Sequence, residues 1–217
     1  MGFKKPMSII THQGSKSDSK LRKVFYFDDD KEKPILAAGV LFVRDDTNGR
    51  KEVLVQKVKK EDGSFVFSDF GGKVDLDDNT PIQAMARELG EEINYSIYSK
   101  NRKTFLDDEA LKKILQKNII QKIYLPVAKY FLIFANFDDN LDIDMEKTGT
   151  KESHDNIERT VEWIRADQFI QNYFDQKLHP RLWSRQVLSF LGYEGPEPQL
   201  PNRTKVNVPK KFAFKAV

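Results

Sequence analysis

The chain has 217 residues, a length that suits one domain with arms. Its apolar share of 39%, with 16 Phe, suffices to bury a core and so excludes a wholly disordered chain, and the absence of cysteine excludes disulfides, thiolate catalysis and cysteine metal sites. The formal net charge is only +3, but its sign is uneven: Met1–Lys23 carries Lys4, Lys5, Lys16, Lys20, Arg22 and Lys23 against Asp18 alone, and Pro198–Val217 carries Arg203, Lys205, Lys210, Lys211 and Lys215 against no acid.

Residues 1–22 read as a flexible basic segment. They hold neither the apolar run of a signal peptide nor a myristoylation signal, since Pro6 stands where Ser or Thr is needed. A strand is expected at Val24–Phe27, a loop at Asp28–Lys33 and a buried strand at Ile35–Arg44. Asn48-Gly49 is a hairpin turn, from which the alternating run Glu52–Lys59 pairs back. Asp62-Gly63 marks another turn, and Phe65–Phe70 is a short strand running into Gly71-Gly72. The strongest helix follows at Pro81–Ile93, with Thr80 as N-cap, Pro81 as first helical residue and Gln83 completing a capping box. Ile82, Met85, Ala86, Leu89 and Ile93 form its apolar stripe.

A shorter helix is expected at Asp108–Gln116. Ile119–Leu125 and Val127–Phe137 are apolar and β-rich, interrupted by Pro126, and Asp138–Asn156 is a long polar loop. Thr160–Ile164 is a strand, Ala166–Phe174 a helix, and Pro180–Leu191 a last helix stopped by Gly192 and Gly195. Beyond Pro196 the spacing of prolines gives an extended basic arm. The chain thus divides into the segment 1–22, a domain at 23–195 and an arm at 196–217. Strands precede a helix, then strands, then helices: an α+β domain with a mixed sheet packed between helices. No apolar stretch reaches the roughly 18 residues that span a bilayer, so no membrane partner is expected and the location is cytoplasmic, with the nucleus as alternative.

The chemistry lies in Arg87-Glu88-Leu89-Gly90-Glu91-Glu92. At 100° per residue, Glu88, Glu91 and Glu92 fall within about a 100° arc, mostly away from the apolar stripe. One face packs on the sheet while the other presents three hard oxygen donors suited to Mg²⁺ or Mn²⁺. These carboxylates repel one another unless a cation or water lies between them, and Arg87 is placed to pair with Glu91. A Glu-rich turn alone is more often a solvated face. Here, however, a strand runs into Gly71-Gly72-Lys73-Val74-Asp75, whose glycines allow close backbone approach to a ligand.

The stretch GGKVDLDDNTPIQAMARELGEEIN, Gly71–Asn94, resembles the Nudix box, the signature of the Nudix hydrolases. Arg87, Glu88, Leu89, Glu91 and Glu92 match the pattern directly, and Gly72 matches with one extra residue in the loop before the helix. Two positions depart from it. Asp78 or Asn79 stands near the place of the upstream Glu, and Asn94, which tolerates a left-handed backbone, replaces the terminal Gly.

The resemblance implies an α/β/α sandwich and attack of water on one phosphorus of a diphosphate, with bound Mg²⁺ or Mn²⁺ neutralising charge and helping to ionise the water. It implies Glu88, Glu92 and the Gly72 carbonyl as metal ligands, and Glu91 as a further ligand or the base. A later acidic residue often joins the metal site; Glu162 is favoured over Glu158. Lys57 and Lys73 are candidate phosphate binders. Phe67, Phe70, Tyr130 and Trp183 are candidate base-stacking residues, though each also suits the core. His154 and His179, in His179-Pro180-Arg181, read as structural or exposed. The expected substrate is a small phosphate anhydride, such as a nucleoside diphosphate derivative.

Three alternatives stand beside this. An isomerase on the same fold would use a catalytic cysteine, which is absent. A nucleotide- or RNA-binding module would have no need of the mutually repelling Glu88, Glu91 and Glu92. A decapping enzyme acting on capped RNA suits the basic ends and would show steep salt dependence.

Overall fold

The computed structural model describes residues 8–11, 21–60, 62–148 and 159–196. The strands are β1 (Ser8–Thr11), β2 (Leu21–Tyr26), β3 (Pro34–Ile35), β4 (Ala37–Asp45), β5 (Lys51–Lys59), β6 (Phe65–Ser68) and β7 (Phe70–Lys73). Then come α1 (Pro81–Glu92), β8 (Ile97–Ser99), β9 (Thr104–Phe105), α2 (Asp108–Asn118), β10 (Ile119–Leu125), β11 (Tyr130–Asn136), β12 (Leu141–Ile143), β13 (Arg159–Arg165), α3 (Ala166–Phe174) and α4 (Arg185–Phe190).

The central sheet runs β10-β11-β4-β5-β13 and is mixed: β11 and β4 are parallel, the other pairs antiparallel. Strand periodicity divides the core in two. On β4, Ala38, Val40 and Phe42 join Leu54, Met85, Leu89 and Phe131 on the side of α1 and α2. The alternate residues Ala37, Leu41 and Val43 join Val55, Leu132, Phe169 and Leu188 on the side of α3 and α4. Helices therefore cover both faces, the α/β/α sandwich of an α+β domain. Each fully buried Leu or Phe in these layers contributes about 1.5–3 kcal/mol.

The long strand expected at Ile35–Arg44 breaks at Leu36. Ile35 pairs with β2, while the Leu36 amide turns to the Lys129 carbonyl and its carbonyl accepts from Val74. The strand expected at Phe65–Phe70 breaks at Asp69: β6 pairs with β5, and β7 crosses to β4. The sheet forks there, and the fork positions the candidate site. The expected helix at Pro180–Leu191 is a 3-10 turn, Pro180–Leu182, followed by α4, because the Ser184 hydroxyl caps a new helix by accepting from the Gln186 amide. Part of the segment expected to be flexible forms β1, paired with β2, and the expected loop Asp138–Asn156 contains β12, which joins β8 and β9 in a small sheet. These strands are too short for a two-residue period to register in sequence.

α1 starts as expected, with the Thr80 hydroxyl accepting from the Gln83 amide at 3.1 Å; the Gln83 side chain, however, accepts from Asn79 rather than Thr80. Asn94, after the helix, has φ +53°, the left-handed backbone expected there. No helix among the described residues is long and apolar enough to cross a membrane. Most of 1–22, and 197–217 of the arm, lie outside the described residues.

Candidate active site

α1 lies across the fork, its buried stripe of Ile82, Met85, Ala86 and Leu89 fixed on the sheet. That rotation turns Arg87, Glu88, Glu91 and Glu92 toward β7 and its glycines. Glu92 is anchored most firmly. One oxygen, Oε2, accepts from the Gly71 amide at 2.7 Å and from Gln56 Nε2 at 2.6 Å. Loss of water around it raises its pKa well above the usual carboxylate range, more than the nearby Arg181 charge lowers it. The Glu88 carboxylate rests against Gly72, in the space that a Cβ at position 72 would fill. Burial raises its pKa too, partly offset by Arg87.

Arg87 is the hub of the exposed half. It donates from Nη1 to Glu88 at 2.9 Å and, more loosely, to Glu91 at 3.5 Å. Nη2 donates to the Lys73 carbonyl at 3.0 Å and to Asp78 at 3.1 Å. Burial lowers the Arg87 pKa, but the hydrogen bond to Asp78 and the charge of Glu88 outweigh it and the net shift is upward. Asp78, only 2% exposed, pairs with Arg87 from the loop side. Its other anchor is the Asp75 amide at 2.8 Å.

Among the described residues no three acidic or histidine side chains already converge on one point. Glu88 is drawn to Arg87, and Glu92 inward to Gly71 and Gln56. The donor set nonetheless fits a hard divalent cation: two carboxylates whose ionised forms are disfavoured by burial gain most from a neighbouring double charge. The Glu91 side chain is the most exposed of the three, at 43%.

Two expected members lie elsewhere. Glu162 pairs in register with Val55, and Lys57 lies two residues along β5 on the same side. Val55 belongs to the core under α3 and α4, so both side chains occupy the face opposite the carboxylate turn, where they approach each other at 3.9 Å. Val161, next to Glu162, is the residue that faces α1. The alternation of β13 thus places Glu162 on the face away from Glu88 and Glu92; Glu158 and His154 lie outside the described residues. Lys73 is exposed on β7 beside Gly72, within the site region. Phe67, Phe70, Tyr130 and Trp183 are all core residues. His179 is structural: its Nδ1 accepts from the Arg181 amide at 3.3 Å, and burial pushes its pKa down to about 3.

Sequence reasoning missed Gln56, Asp69 and Arg181. Gln56 is 1% exposed and interrupts the apolar parity of Leu54 on β5; Asp69, 0% exposed, interrupts the apolar run FVFSDF. A polar residue at an inward position was the available signal.

The NUDIX domain family model matches residues 33–186. No curated protein matches the chain in sequence. Among solved structures, the chain is similar to a Nudix hydrolase from M. smegmatis, RenU, at 18% identity and TM-score 0.38, over 68% of this chain and 78% of that one. It is also similar to a Nudix hydrolase from Alicyclobacillus acidocaldarius, at 15% identity and TM-score 0.41, over 72% and 89%. A third similar structure is a bifunctional NMN adenylyltransferase/ADP ribose pyrophosphatase from Francisella tularensis, at 22% identity and TM-score 0.39, over 64% of this chain and 36% of that one. With a family match spanning more than half its length and the box residues gathered at the fork, the chain belongs to the Nudix family of pyrophosphohydrolases.

Proposed function

We propose that this Nudix hydrolase cleaves the diphosphate linkage of a small phosphate anhydride, such as a nucleoside diphosphate derivative, and that it requires Mg²⁺ or Mn²⁺. The observation that carries the reading is the seating of Glu88 against Gly72 and of Glu92 on the Gly71 amide, which puts two carboxylates beside a strand backbone free of side chains. Glu88, Glu92 and the Gly72 carbonyl would hold the cation. When bound, it would neutralise phosphate charge and lower the pKa of the attacking water.

The chain's own residues divide the remaining work. Arg87 bridges Glu88 and Glu91 from one nitrogen and, through Asp78 and the Lys73 carbonyl, ties α1 to the loop that precedes it. Glu91, the most exposed of the three carboxylates, would act as base, with a ligand role as the alternative. Lys73, exposed beside Gly72, would offset phosphate charge. Lys57 and Glu162 have no part in this reading.

The test is a panel of phosphate-linked substrates, capped RNA among them, with and without Mg²⁺ or Mn²⁺, run beside Glu91→Gln. Turnover should require metal and fall by about 10²–10⁴-fold in the variant, as for loss of a general base. Turnover that ignores both metal and the substitution would overturn the proposal. Cleavage confined to capped RNA, with steep salt dependence, would replace the small-molecule substrate with RNA.

A further inference from the structure

Behind the fork lies a buried polar cluster with no chemistry assigned to it. Arg181 is 11% exposed along its side chain and Asp69 is fully buried; Arg181 Nε donates to Asp69 Oδ1 at 2.6 Å. Arg181 Nη2 donates to Ser68 Oγ at 3.1 Å and to the Asp69 backbone carbonyl at 3.2 Å. The Tyr130 hydroxyl donates to the second carboxylate oxygen at 2.7 Å. A side chain at Gly39 would collide with this cluster, so the sheet leaves room for it. Arg181 is delivered by the segment ahead of α4. Leu178 bridges to Phe67, the Phe67 amide donates to the Lys177 carbonyl, and the His179 amide donates to the Phe67 carbonyl. Pro180 then opens the 3-10 turn.

The cluster connects to the site through one side chain. Gln56 Nε2 donates to the Asp69 carbonyl at 2.9 Å and to Glu92 Oε2 at 2.6 Å. The Gln56 Oε1 atom is buried with no hydrogen-bond partner. The amide is therefore oriented by its donors alone: the flipped rotamer would set its oxygen against a carbonyl and a carboxylate. Exchanging a buried ion pair for apolar residues is often neutral or stabilising, so stability is a weak explanation for this one. What a two-pronged guanidinium supplies is position.

We infer that Arg181 is a positioning residue for Glu92. By gripping both the carboxylate and the backbone carbonyl of Asp69, it fixes the acceptor that aims Gln56, and Gln56 with the Gly71 amide fixes the Glu92 carboxylate in the orientation from which it binds metal. The last step rests on the function proposed above; the positioning itself does not.

Two readouts separate these. In ¹⁵N–¹H spectra of the full chain without metal, the Gly71 amide reports the short bond to Glu92 by a downfield proton shift. Mn²⁺ binding, followed by electron paramagnetic resonance, reports the site. The variants are Arg181→Lys, which keeps the buried charge but grips at one point, and Arg181→Met with Asp69→Asn, which removes the pair as a unit. The Gly71 proton should move upfield in both, more in the second. Mn²⁺ affinity should fall about tenfold to a hundredfold in the double variant and less in Arg181→Lys, as for loss of groups that orient a ligand. Arg181→Lys alone carries the test if the double variant does not fold. An unmoved Gly71 resonance would overturn the inference. A moved resonance in a protein whose wild type binds no Mn²⁺ would sustain the positioning and remove the proposed function instead.

Discussion

The two sides of the fork differ in how their charges are held. On the α1 side, Arg87 serves Glu88, Glu91, Asp78 and the Lys73 carbonyl, and its partners range from nearly buried Asp78 to exposed Glu91. Behind the fork, Asp69, Tyr130 and Gln56 are buried, Arg181 is nearly so, and the four are held by bonds of 2.6–3.2 Å. Under the proposed function, the first arrangement would exchange partners when a phosphate or cation arrives. The second cannot do so without leaving a charge unpaired in a region shielded from water, which costs several kcal/mol. A site of this kind needs both, a fixed frame and a few donors free to turn.

Two glycines bring the contrast to a test. In Gly39→Ala the new Cβ meets the Tyr130 hydroxyl, the Asp69 carboxylate and the Phe70 backbone, none of which can move independently. The expected loss is about 2–3 kcal/mol, seen as a Tm about 5–10 °C lower. In Gly72→Ala the atoms nearest the Cβ are all at the end of the flexible Glu88 side chain. Stability should change by less than about 1 kcal/mol, while kcat falls about tenfold to a hundredfold as Glu88 is displaced. Equal Tm losses in the two variants would show that the two sides are not mechanically different.

A smaller effect follows from His179, at the base of the fixed cluster. Burial holds it neutral, with a pKa down at about 3 against an ordinary 6.5. The unfolded chain therefore binds a proton that the folded chain refuses between these values. The stabilisation is complete above pH 6.5 and is lost as the pH falls toward 3, at up to about 1.4 kcal/mol per pH unit. Chemical denaturation at pH 7 and 5.5 should show His179→Gln losing about 1 kcal/mol less than wild type over that interval. Parallel losses would mean that the His179 ring is accessible to protons.

The turn of α1 and its neighbours were legible because they are local: a cap, a 3.6-residue stripe and a glycine pair are written in adjacent residues. The left-handed Asn94 was legible for the same reason. The fork was not, because it depends on Asp69 leaving one strand partner for another and on Arg181, 112 residues away in sequence, meeting it there. Nor did sequence choose between Asp78 and Asn79 near the place of the upstream Glu, since the loop insertion shifts the count; of the two, Asp78 is the one buried in contact with Arg87. Glu162 misled because an acidic residue beside a tryptophan on a strand has even odds of either face, and only the pairing with Val55 fixes its parity.

In the proposed function, the carboxylates of α1 gather a divalent cation at Gly72. Titration of Mn²⁺ into the full chain and into Glu92→Gln, which can still accept from the Gly71 amide, tests this without reference to substrate. Saturable binding to wild type, weakened at least about tenfold in Glu92→Gln with the fold retained, is the result expected. No saturable binding to wild type, or equal binding to both proteins, would contradict it.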